Sequence, residues 1–227
     1  MNHLIIRVYK KSILEVSKKV AVIGGTGKSG KYLVRQLLRQ GISFKVLVRN
    51  LDTHKTRHAL QEIIKGDVLD YESVHSLLKD SKVVISTLGL GVPPSISTIF
   101  SQSTRNILRA MTECSIDRYI VTTGLNVDTA FDKKRNNTAA ATKWMYENFP
   151  LTTADKQVEY ELLLKSNVSW TMVRLPLIEQ TDESVEIKMS LEDCPGDKIS
   201  ATALAHFLME QIADDRFIRK APFIANA

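Results

Sequence analysis

Short runs of β-branched and other apolar residues alternate along the chain with segments in which apolar positions recur every three or four residues. The runs predict strands and the periodic segments predict helices. The predicted strands are Lys19–Gly24, Phe44–Arg49, Ile63–Lys65, Lys82–Thr87, Tyr119–Thr123, Trp170–Arg174, a short strand at Ser184–Ser190 and an edge strand at Ala221–Ile224. The predicted helices are Lys28–Gln40, Tyr71–Leu78, Ile96–Thr112, Ala139–Asn148, Ala154–Lys165 and Ser200–Ile212.

The order of these elements predicts an α/β fold. Runs such as Lys82–Thr87 show no alternation of polar and apolar residues, which is typical of strands buried on both faces of a mostly parallel sheet. No internal repeat, Pro/Ser-rich linker or lasting change of composition divides the chain. We therefore expect a doubly wound, mostly parallel sheet in a single domain, residues 19–227, with a small C-terminal part on the substrate side.

Composition narrows the class of protein. The chain has 227 residues, of which 44% are hydrophobic, so it can form a core and is not expected to be disordered. No apolar run approaches the roughly 20 residues that a membrane-spanning helix needs, and we expect no membrane partner. Cys114 and Cys194 are too few and too far apart for a disulfide framework, which favours free thiols in a reducing cytoplasm. His54 and His58 have no third ligand nearby in sequence, so no metal site is expected.

The net charge of +6 does not indicate a nucleic-acid partner. Residues 1–19 alone contribute a net +4, which leaves +2 for the other 208 residues. A nucleic-acid footprint requires a basic face of the fold, whereas this charge lies mainly in a basic N-terminal leader, residues 1–18. We expect the leader to lie outside the core, and it has no cleavage site typical of a secretory signal.

The first predicted strand runs directly into a glycine-rich loop. Gly24, Gly27 and Gly30 form G-x-x-G-x-x-G between that strand and the first predicted helix. Residues without a β-carbon allow a tight turn and a close approach to a diphosphate, and the helix N-terminus offers N–H groups to the anion. The position between strand and helix makes this a dinucleotide-binding signature rather than an isolated glycine motif.

A P-loop is the competing interpretation, because Gly27-Lys28-Ser29 resembles the end of G-x-x-x-x-G-K-[ST]. That motif needs a glycine where this chain has Val22, inside the strand. The strand Lys82–Thr87 also ends without an acidic residue that would hold magnesium. Phosphoryl transfer is therefore disfavoured.

The end of the second strand predicts which nicotinamide cofactor binds. An NAD site would place Asp or Glu there to bind the ribose 2′-hydroxyl, whereas this chain has Arg49 followed by Asn50. Arginine can bind a 2′-phosphate in a bidentate manner, and Lys28 in the glycine loop adds a second positive charge. NADP(H) is therefore preferred, and NAD(H) stays possible because Asp52 follows three positions later.

With the glycine loop, the LVR of Leu47–Arg49 and the GDVLD of Gly66–Asp70, the chain resembles the atypical short-chain dehydrogenase/reductases. More narrowly, it is similar to the NAD(P)H-binding group that contains NmrA-like proteins and biliverdin reductase B, also called flavin reductase. The resemblance spans about residues 19–213. It implies an NAD(P)-binding Rossmann fold.

The resemblance also implies a set of site residues. Asp67 and Val68 would flank adenine, Thr122 and Thr123 would lie near the nicotinamide, and Leu175 and Pro176 would close over it. The implied cofactor-binding residues are Gly24, Thr26, Gly27, Lys28, Ser29, Gly30, Arg49, Asp67, Val68, Leu88, Gly89, Thr122, Thr123, Lys156, Leu175 and Pro176.

The catalytic pattern departs from that of the wider superfamily. Its Tyr-x-x-x-Lys pair is missing, because Lys156 is preceded at the matching position by Thr152, whose hydroxyl is too basic to act as the tyrosine does. Lys156 and Thr123 remain candidate catalytic residues, and Lys156 is expected to bind ribose or orient the substrate. Where flavin reductase-like proteins have a serine after the fifth strand, this chain has Gly124.

These features favour an oxidoreductase that transfers hydride from NADPH to a planar conjugated small molecule, such as a flavin, a bilin or a quinone-like compound. Cations in the irregular segment Asn126–Thr138, namely Lys133, Lys134 and Arg135, would steer an acidic acceptor. The alternative is an NmrA-like sensor that binds the dinucleotide and regulates a partner without turnover. The sequence predicts neither the acceptor nor the oligomeric state.

Overall fold

A computed structural model describes residues 19–51, 58–91 and 94–227. The leader, Asp52 and His54 lie outside these residues. The strands described are β1 (Val20–Ile23), β2 (Phe44–Val48), β3 (Gln61–Lys65), β4 (Val83–Ser86), β5 (Arg118–Gly124), β6 (Ser169–Leu175), β7 (Leu177–Glu179), β8 (Ile187–Ser190), β9 (Lys198–Ser200) and β10 (Phe223–Asn226). The helices described are α1 (Gly30–Arg39), α2 (Tyr71–Leu78), α3 (Ile99–Glu113), α4 (Asn136–Asn148), α5 (Pro150–Lys165) and α6 (Ala201–Glu210).

The main sheet has eight strands in the order β3-β2-β1-β4-β5-β6-β10-β8. Every neighbouring pair is parallel except β10 and β8, which are antiparallel. The chain order reverses between β1 and β4, which makes this the topological switch point of the sheet. In such folds ligands bind beyond the carboxyl ends of the strands at that point. The predicted Rossmann-like, doubly wound fold is confirmed.

Alternation along β1 shows how the two faces of the sheet are covered. Val20 and Val22 belong to the hydrophobic cluster that contains the buried faces of α1 and α6. Ala21 and Ile23 belong to the opposite cluster, with the buried faces of α2, α3 and α5. Because both faces are buried, the strand has no polar position, as the sequence pattern predicts. Within the described residues no helix is both long and apolar enough to cross a membrane.

The C-terminal strands differ from the sequence prediction. The sequence predicts a strand at Ala221–Ile224, and the structure has β10 there. Its predicted position at the edge of the sheet was wrong, because β10 lies between β6 and β8. The antiparallel strand β8 pairs with its outer side, from Phe223↔Ser190 to Asn226↔Ile187. β7 and β9, which the sequence did not predict, form a separate two-stranded parallel sheet.

The starts of two helices, α3 and α4, also differ from the sequence prediction. α3 begins at Ile99 rather than Ile96 because the Asp155 carboxylate of α5 accepts hydrogen bonds from the backbone N–H groups of Phe100 (2.8 Å) and Ser101 (3.1 Å). This cap comes from a different helix, so no local pattern indicates it. α4 begins at Asn136, which shortens the predicted irregular segment.

Candidate functional site

The glycine loop, Gly24–Ser29, connects the end of β1 to the start of α1. Gly24 has a positive φ of 76°, and a β-carbon there would lie 2.7 Å from the carbonyl carbon and oxygen of Thr87. A β-carbon on Gly30 would overlap the carbonyl oxygen of Gly24. Both positions therefore need glycine, because the loop packs tightly against the turn that follows β4. The Thr87 hydroxyl donates to the carbonyl oxygens of Ile23 (3.2 Å) and Gly24 (3.3 Å) and joins the two turns.

The middle of the loop is open, in contrast to its ends. A β-carbon on Gly27 would meet only the carbonyl oxygen of Gly24, at 3.1 Å, and Thr26, Gly27 and Lys28 are exposed. α1 begins with no side-chain cap and no acidic residue in its first turn, since the Ser29 side chain is buried and makes no capping bond. The positive dipole end of α1 is therefore available to an anion such as a diphosphate.

Arg49 follows β2 directly and is exposed. Its Nη1 atom lies 3.4 Å from the Ser95 hydroxyl, in the segment between β4 and α3. Because β2 and β1 are neighbours in the sheet, Arg49 and the glycine loop lie at the same edge on adjacent strands. The structure therefore brings together the two features that the sequence assigned to the diphosphate and the 2′-phosphate.

The turn after β3 contains Asp67 and Val68, the residues that the resemblance places beside adenine. Asp67 accepts a hydrogen bond from the Leu69 backbone N–H at 2.9 Å, so its carboxylate is used within the turn. The Val68 side chain is only 5% exposed and packs in the core. Asn106 of α3, which the sequence reasoning missed, donates to the carbonyl oxygens of Val68 (3.1 Å) and Leu69 (3.0 Å).

Unpaired polar side chains gather where β5 ends. Thr122 donates to the Ser86 carbonyl oxygen at 3.4 Å, but the buried Thr123 hydroxyl has no hydrogen-bond partner among the described residues. Asn126 is 1% exposed, and both atoms of its side-chain amide are buried without a partner there. Buried polar groups are nearly always hydrogen-bonded, so such a group is expected where a ligand or water completes the bonding.

Apolar residues and the next turn border the same end of the sheet. Leu175 pairs with Gly124 across β6 and β5 and is 6% exposed, and the buried Pro176 follows it. Leu88 is half-buried and Gly89 is exposed after β4, with open space where its β-carbon would stand. These residues therefore lie on three neighbouring strands, β4, β5 and β6, at their carboxyl ends.

The Lys156 side chain projects from α5 towards the carboxyl end of β5. Its Nζ atom would lie 3.4 Å from a β-carbon on Gly124, and it is 5.0 Å from the centre of the Phe100 ring. It makes no hydrogen bond within the described part of the chain. Burial lowers the pKa of the Lys156 ammonium, while the charge of Glu159 opposes that shift. Thr152 donates to the carbonyl oxygen of Phe149 at 3.2 Å, so its hydroxyl is used within its own helix.

Glu159 lies one helical turn after Lys156 and is a residue that the sequence reasoning missed. It is 2% exposed, and its Oε1 atom accepts a hydrogen bond from the Thr104 hydroxyl at 2.9 Å. Burial raises the pKa of the Glu159 carboxyl to about 8, against the lowering effects of the Thr104 hydrogen bond and the Lys156 charge. The only sequence signal was the K-x-x-E spacing inside the matched family stretch.

The cations that the sequence predicts to steer an acidic acceptor, Lys133, Lys134 and Arg135, are paired with acidic side chains within the fold. Lys134 forms ion pairs with Asp128 (2.6 Å) and Asp132 (3.6 Å) and is 9% exposed. The other two cations bind acidic residues of the segment after β8: Lys133 binds Glu192 and Arg135 binds Asp193. These ion pairs therefore connect the segment after β5 to the segment after β8.

The fully buried Arg174 of β6 completes that arrangement. Its guanidinium donates to Asp132 at 2.7 Å and to the carbonyl oxygens of Val127 (3.1 Å), Leu191 (3.1 Å) and Ala221 (2.8 Å). It also stacks 3.5 Å from the centre of the Phe223 ring. Arg174 therefore holds the segment after β5 against β10, and with it the position of Asn126.

The fold and the glycine loop at its switch point define a dinucleotide-binding α/β protein. The sequence matches the NAD(P)H-binding family over residues 24–215. The chain belongs to this family, and the predicted resemblance to the NAD(P)H-binding group is confirmed.

Two relatives from Arabidopsis thaliana illustrate the range of the family. An uncharacterised chloroplastic protein is 27% identical over 187 residues, which cover 78% of this chain and 65% of the relative. Phenylcoumaran benzylic ether reductase 1 is 40% identical over 80 residues, 31% of this chain and 26% of the reductase. The chain thus spans less than two thirds of the length of either relative.

Solved structures agree with the fold at low sequence identity. A short-chain dehydrogenase/reductase from Veillonella parvula in complex with NADP superposes with a TM-score of 0.75 at 17% identity, covering 92% of this chain and 94% of that one. ChuY from Escherichia coli O157:H7, described as an anaerobilin reductase, gives a TM-score of 0.75 at 14% identity, covering 92% and 97%. These likenesses show the fold, and the family match supports a nicotinamide cofactor.

Proposed function

We propose that this protein is an NADPH-dependent reductase of a planar conjugated small molecule, such as a flavin, a bilin or a quinone. The observation that carries the proposal is the half-buried Lys156 side chain, whose ammonium lies beside Gly124. It has no hydrogen-bond partner in the described structure, and the unpaired Asn126 amide lies at the same position. A cation and an amide without protein partners provide the hydrogen bonds that orient an acceptor.

The cofactor is proposed to lie across the carboxyl ends of β1, β2, β4 and β5. The open middle of the glycine loop fits a diphosphate because no side chain fills it and α1 starts uncapped. Arg49 is proposed to bind the 2′-phosphate and so to select NADP(H) over NAD(H). The proposed binding residues are those predicted from the sequence.

The chemistry requires little from the protein beyond placement. Bound NADPH supplies the hydride. Thr123 and Asn126 orient the acceptor or the carboxamide of the cofactor through their unpaired polar atoms. Lys156 stabilises negative charge that develops on the acceptor and donates a proton to it. No tyrosine acid is needed for this reaction.

A dinucleotide sensor without turnover is the second candidate. The Thr152 hydroxyl, which stands where the wider superfamily has its catalytic tyrosine, is bonded to its own helix. This arrangement favours a protein without the usual carbonyl chemistry. The cytoplasmic location also stays a proposal, supported by the two free thiols, Cys114 and Cys194.

Turnover distinguishes the two candidates. Purified protein with NADPH is assayed for oxidation of the cofactor in the presence of FMN, riboflavin, a bilin or a quinone, beside a reaction without protein. We expect reduction of at least one acceptor well above the uncatalysed rate. Lys156→Met is expected to slow it at least tenfold, whereas Lys165→Met, an exposed lysine at the end of the same helix, is a matched control with the rate unchanged. Binding of NADPH without turnover on any acceptor would contradict the reductase and favour the sensor.

A further inference from the structure

The unpaired polar groups near the end of β5, Thr123 and Asn126, are uncharged. The Asn126 side chain is 1% exposed, and neither atom of its amide has a hydrogen-bond partner among the described residues. The buried Thr123 hydroxyl is without a partner there as well. Together these groups offer two donors and two acceptors of neutral hydrogen bonds. They suit the C=O and N–H groups of an uncharged ligand, because buried polar groups are nearly always hydrogen-bonded.

The segment that follows β6 carries an excess of negative charge. Residues 176–198, which we call the acidic border, contain seven carboxylates and two lysines, a net charge of −5 in a chain whose net charge is +6. Four of the carboxylates form ion pairs, namely Glu179, Asp182, Glu192 and Asp193. The other three are exposed and form no ion pair within the described residues, namely Glu183, Glu186 and Asp197.

The acidic border lies at the carboxyl ends of the strands, where the acceptor is proposed to bind. The Leu177 backbone N–H, two residues after the end of β6, donates to the Asp197 carbonyl oxygen at 3.3 Å. The Leu191 carbonyl oxygen accepts a hydrogen bond at 3.1 Å from Arg174, the second-to-last residue of β6. Two of the ion pairs also connect the border to the segment after β5. The negative charge is therefore held beside the ends of β5 and β6.

Cations beside the site do not offset this charge. Within the described part of the segment after β5, Lys133, Lys134 and Arg135 are all paired with carboxylates. Lys188 of β8 forms no ion pair there, but three unpaired carboxylates of the same border outnumber it. Lys156 is proposed to meet the reacting ring, where its charge disfavours a cationic acceptor. The phosphates of a bound cofactor add negative charge to the same cleft, which further disfavours an anionic one.

We propose that the acceptor is an uncharged planar ring system and that the acidic border excludes compounds with anionic side groups. This inference rests on the proposed reductase function. Large apolar side chains in the segments after β5 and β6 suit such a ring, since Phe131 is 62% exposed and Leu177 is 73% exposed. Negative charge beside a cleft slows the encounter with an anion and weakens its binding. Riboflavin is therefore preferred over FMN, which has the same ring but carries a phosphate.

The first test compares the reduction of riboflavin and FMN at saturating NADPH. A naphthoquinone and its sulfonate form a second pair of the same design. At low ionic strength, kcat/KM for the uncharged member of a pair should exceed that for the anionic member at least about tenfold. Added salt should raise the value for the anion and leave the other nearly unchanged, because salt screens exposed charges. Equal values at low ionic strength, or a ratio that does not respond to salt, would overturn the proposal.

Neutral variants locate the source of the selection. A triple variant, Glu183→Gln with Glu186→Gln and Asp197→Asn, should raise kcat/KM for FMN at least about threefold at low ionic strength and leave that for riboflavin nearly unchanged. The matched control removes three other exposed carboxylates that lie outside the acidic border, with the changes Asp80→Asn, Glu161→Gln and Asp215→Asn. It should alter neither value. Equal effects of the two triple variants on FMN would contradict exclusion by the acidic border.

Binding separates this inference from the reductase function. Calorimetric titration of the protein saturated with NADP⁺ measures the affinity of each compound without turnover. The uncharged member of a pair should bind at least about tenfold more tightly than the anionic member at low ionic strength. That preference without reduction of any acceptor would support the selection by charge and contradict the reductase. Equal or tighter binding of the anionic members, or no binding of either uncharged compound, would overturn the proposal.

Discussion

The side-chain amide of Asn126 fills the space in which a β-carbon on Gly124 would stand. Gly124 does not have a positive φ. A side chain at this position is therefore disfavoured by the neighbouring Asn126 and not by the backbone conformation. Flavin reductase-like proteins resemble this chain but have a serine there. In this protein an amide with two unpaired polar atoms replaces that hydroxyl at the end of β5.

This relationship predicts coupled substitutions. Gly124→Ser should lower the free energy of unfolding by about 1–3 kcal/mol, because the new side chain overlaps the Asn126 amide. In an Asn126→Ala background, Gly124→Ser should lower the free energy of unfolding much less, because the amide no longer fills the space. Urea denaturation of the four proteins of the cycle measures this. Equal costs in both backgrounds would contradict the packing described for the two residues.

Cofactor choice depends on Arg49 in this account. The wild type should bind NADPH at least tenfold more tightly than NADH, which corresponds to about 1.4 kcal/mol. Arg49→Ala should remove most of this difference and leave NADH affinity nearly unchanged, because only the 2′-phosphate loses its partner. Calorimetric titration with both cofactors measures the two affinities.

Arg39→Ala is the matched control for that experiment. Arg39 is also an exposed arginine, but it lies in the last turn of α1, at the opposite end of the helix from the glycine loop. Its removal should leave the preference for NADPH intact. Equal affinities of the wild type for NADPH and NADH would refute the assignment of Arg49.

Glu159 should also make stability depend on pH. Its pKa rises from the ordinary 4.5 to about 8 on folding, so the folded state holds a proton that the unfolded state releases between these values. The stabilising contribution is therefore complete below about pH 4.5 and is lost as pH rises through about 8. Glu159→Gln has no such group. As the pH rises across this range, the free energy of unfolding of Glu159→Gln should therefore increase relative to that of the wild type.

This relative increase in the free energy of unfolding should reach a few kcal/mol, on the order expected for a shift of several pKa units. It should level off above about pH 8. Glu161→Gln, on the exposed side of the same helix, should show no trend with pH. Denaturant unfolding at a series of pH values measures both differences. A constant difference between Glu159→Gln and the wild type would contradict a protonated Glu159.

Local patterns predicted the parts of the site that a short segment of chain builds alone. The glycine loop follows from β1, the turn and α1, which are consecutive, and Arg49 follows from the end of β2. Lys156 was found through a matched family stretch, also contiguous. The sheet was predictable for a similar reason, since strands without polar positions indicate burial on both faces.

Features that depend on distant segments were not predictable. Asn126 looked like one polar residue in an irregular stretch, and only the fold shows its amide against Gly124. The bond between Glu159 and Thr104 joins helices whose residues are 55 positions apart. The place of β10 inside the sheet likewise depends on β8, which reverses direction to pair with it. Sequence periodicity carries no information about such pairings.

The central claim is that a nicotinamide dinucleotide lies across the ends of β1, β2, β4 and β5 with its reactive ring beside Lys156. A crystal structure of the protein with NADP⁺ tests this most directly. The account predicts the diphosphate at the open middle of the glycine loop and the 2′-phosphate on Arg49. It also predicts the nicotinamide within reach of Lys156 and Asn126. A dinucleotide bound elsewhere, or bound in this cleft with its nicotinamide end directed away from Lys156, would contradict it.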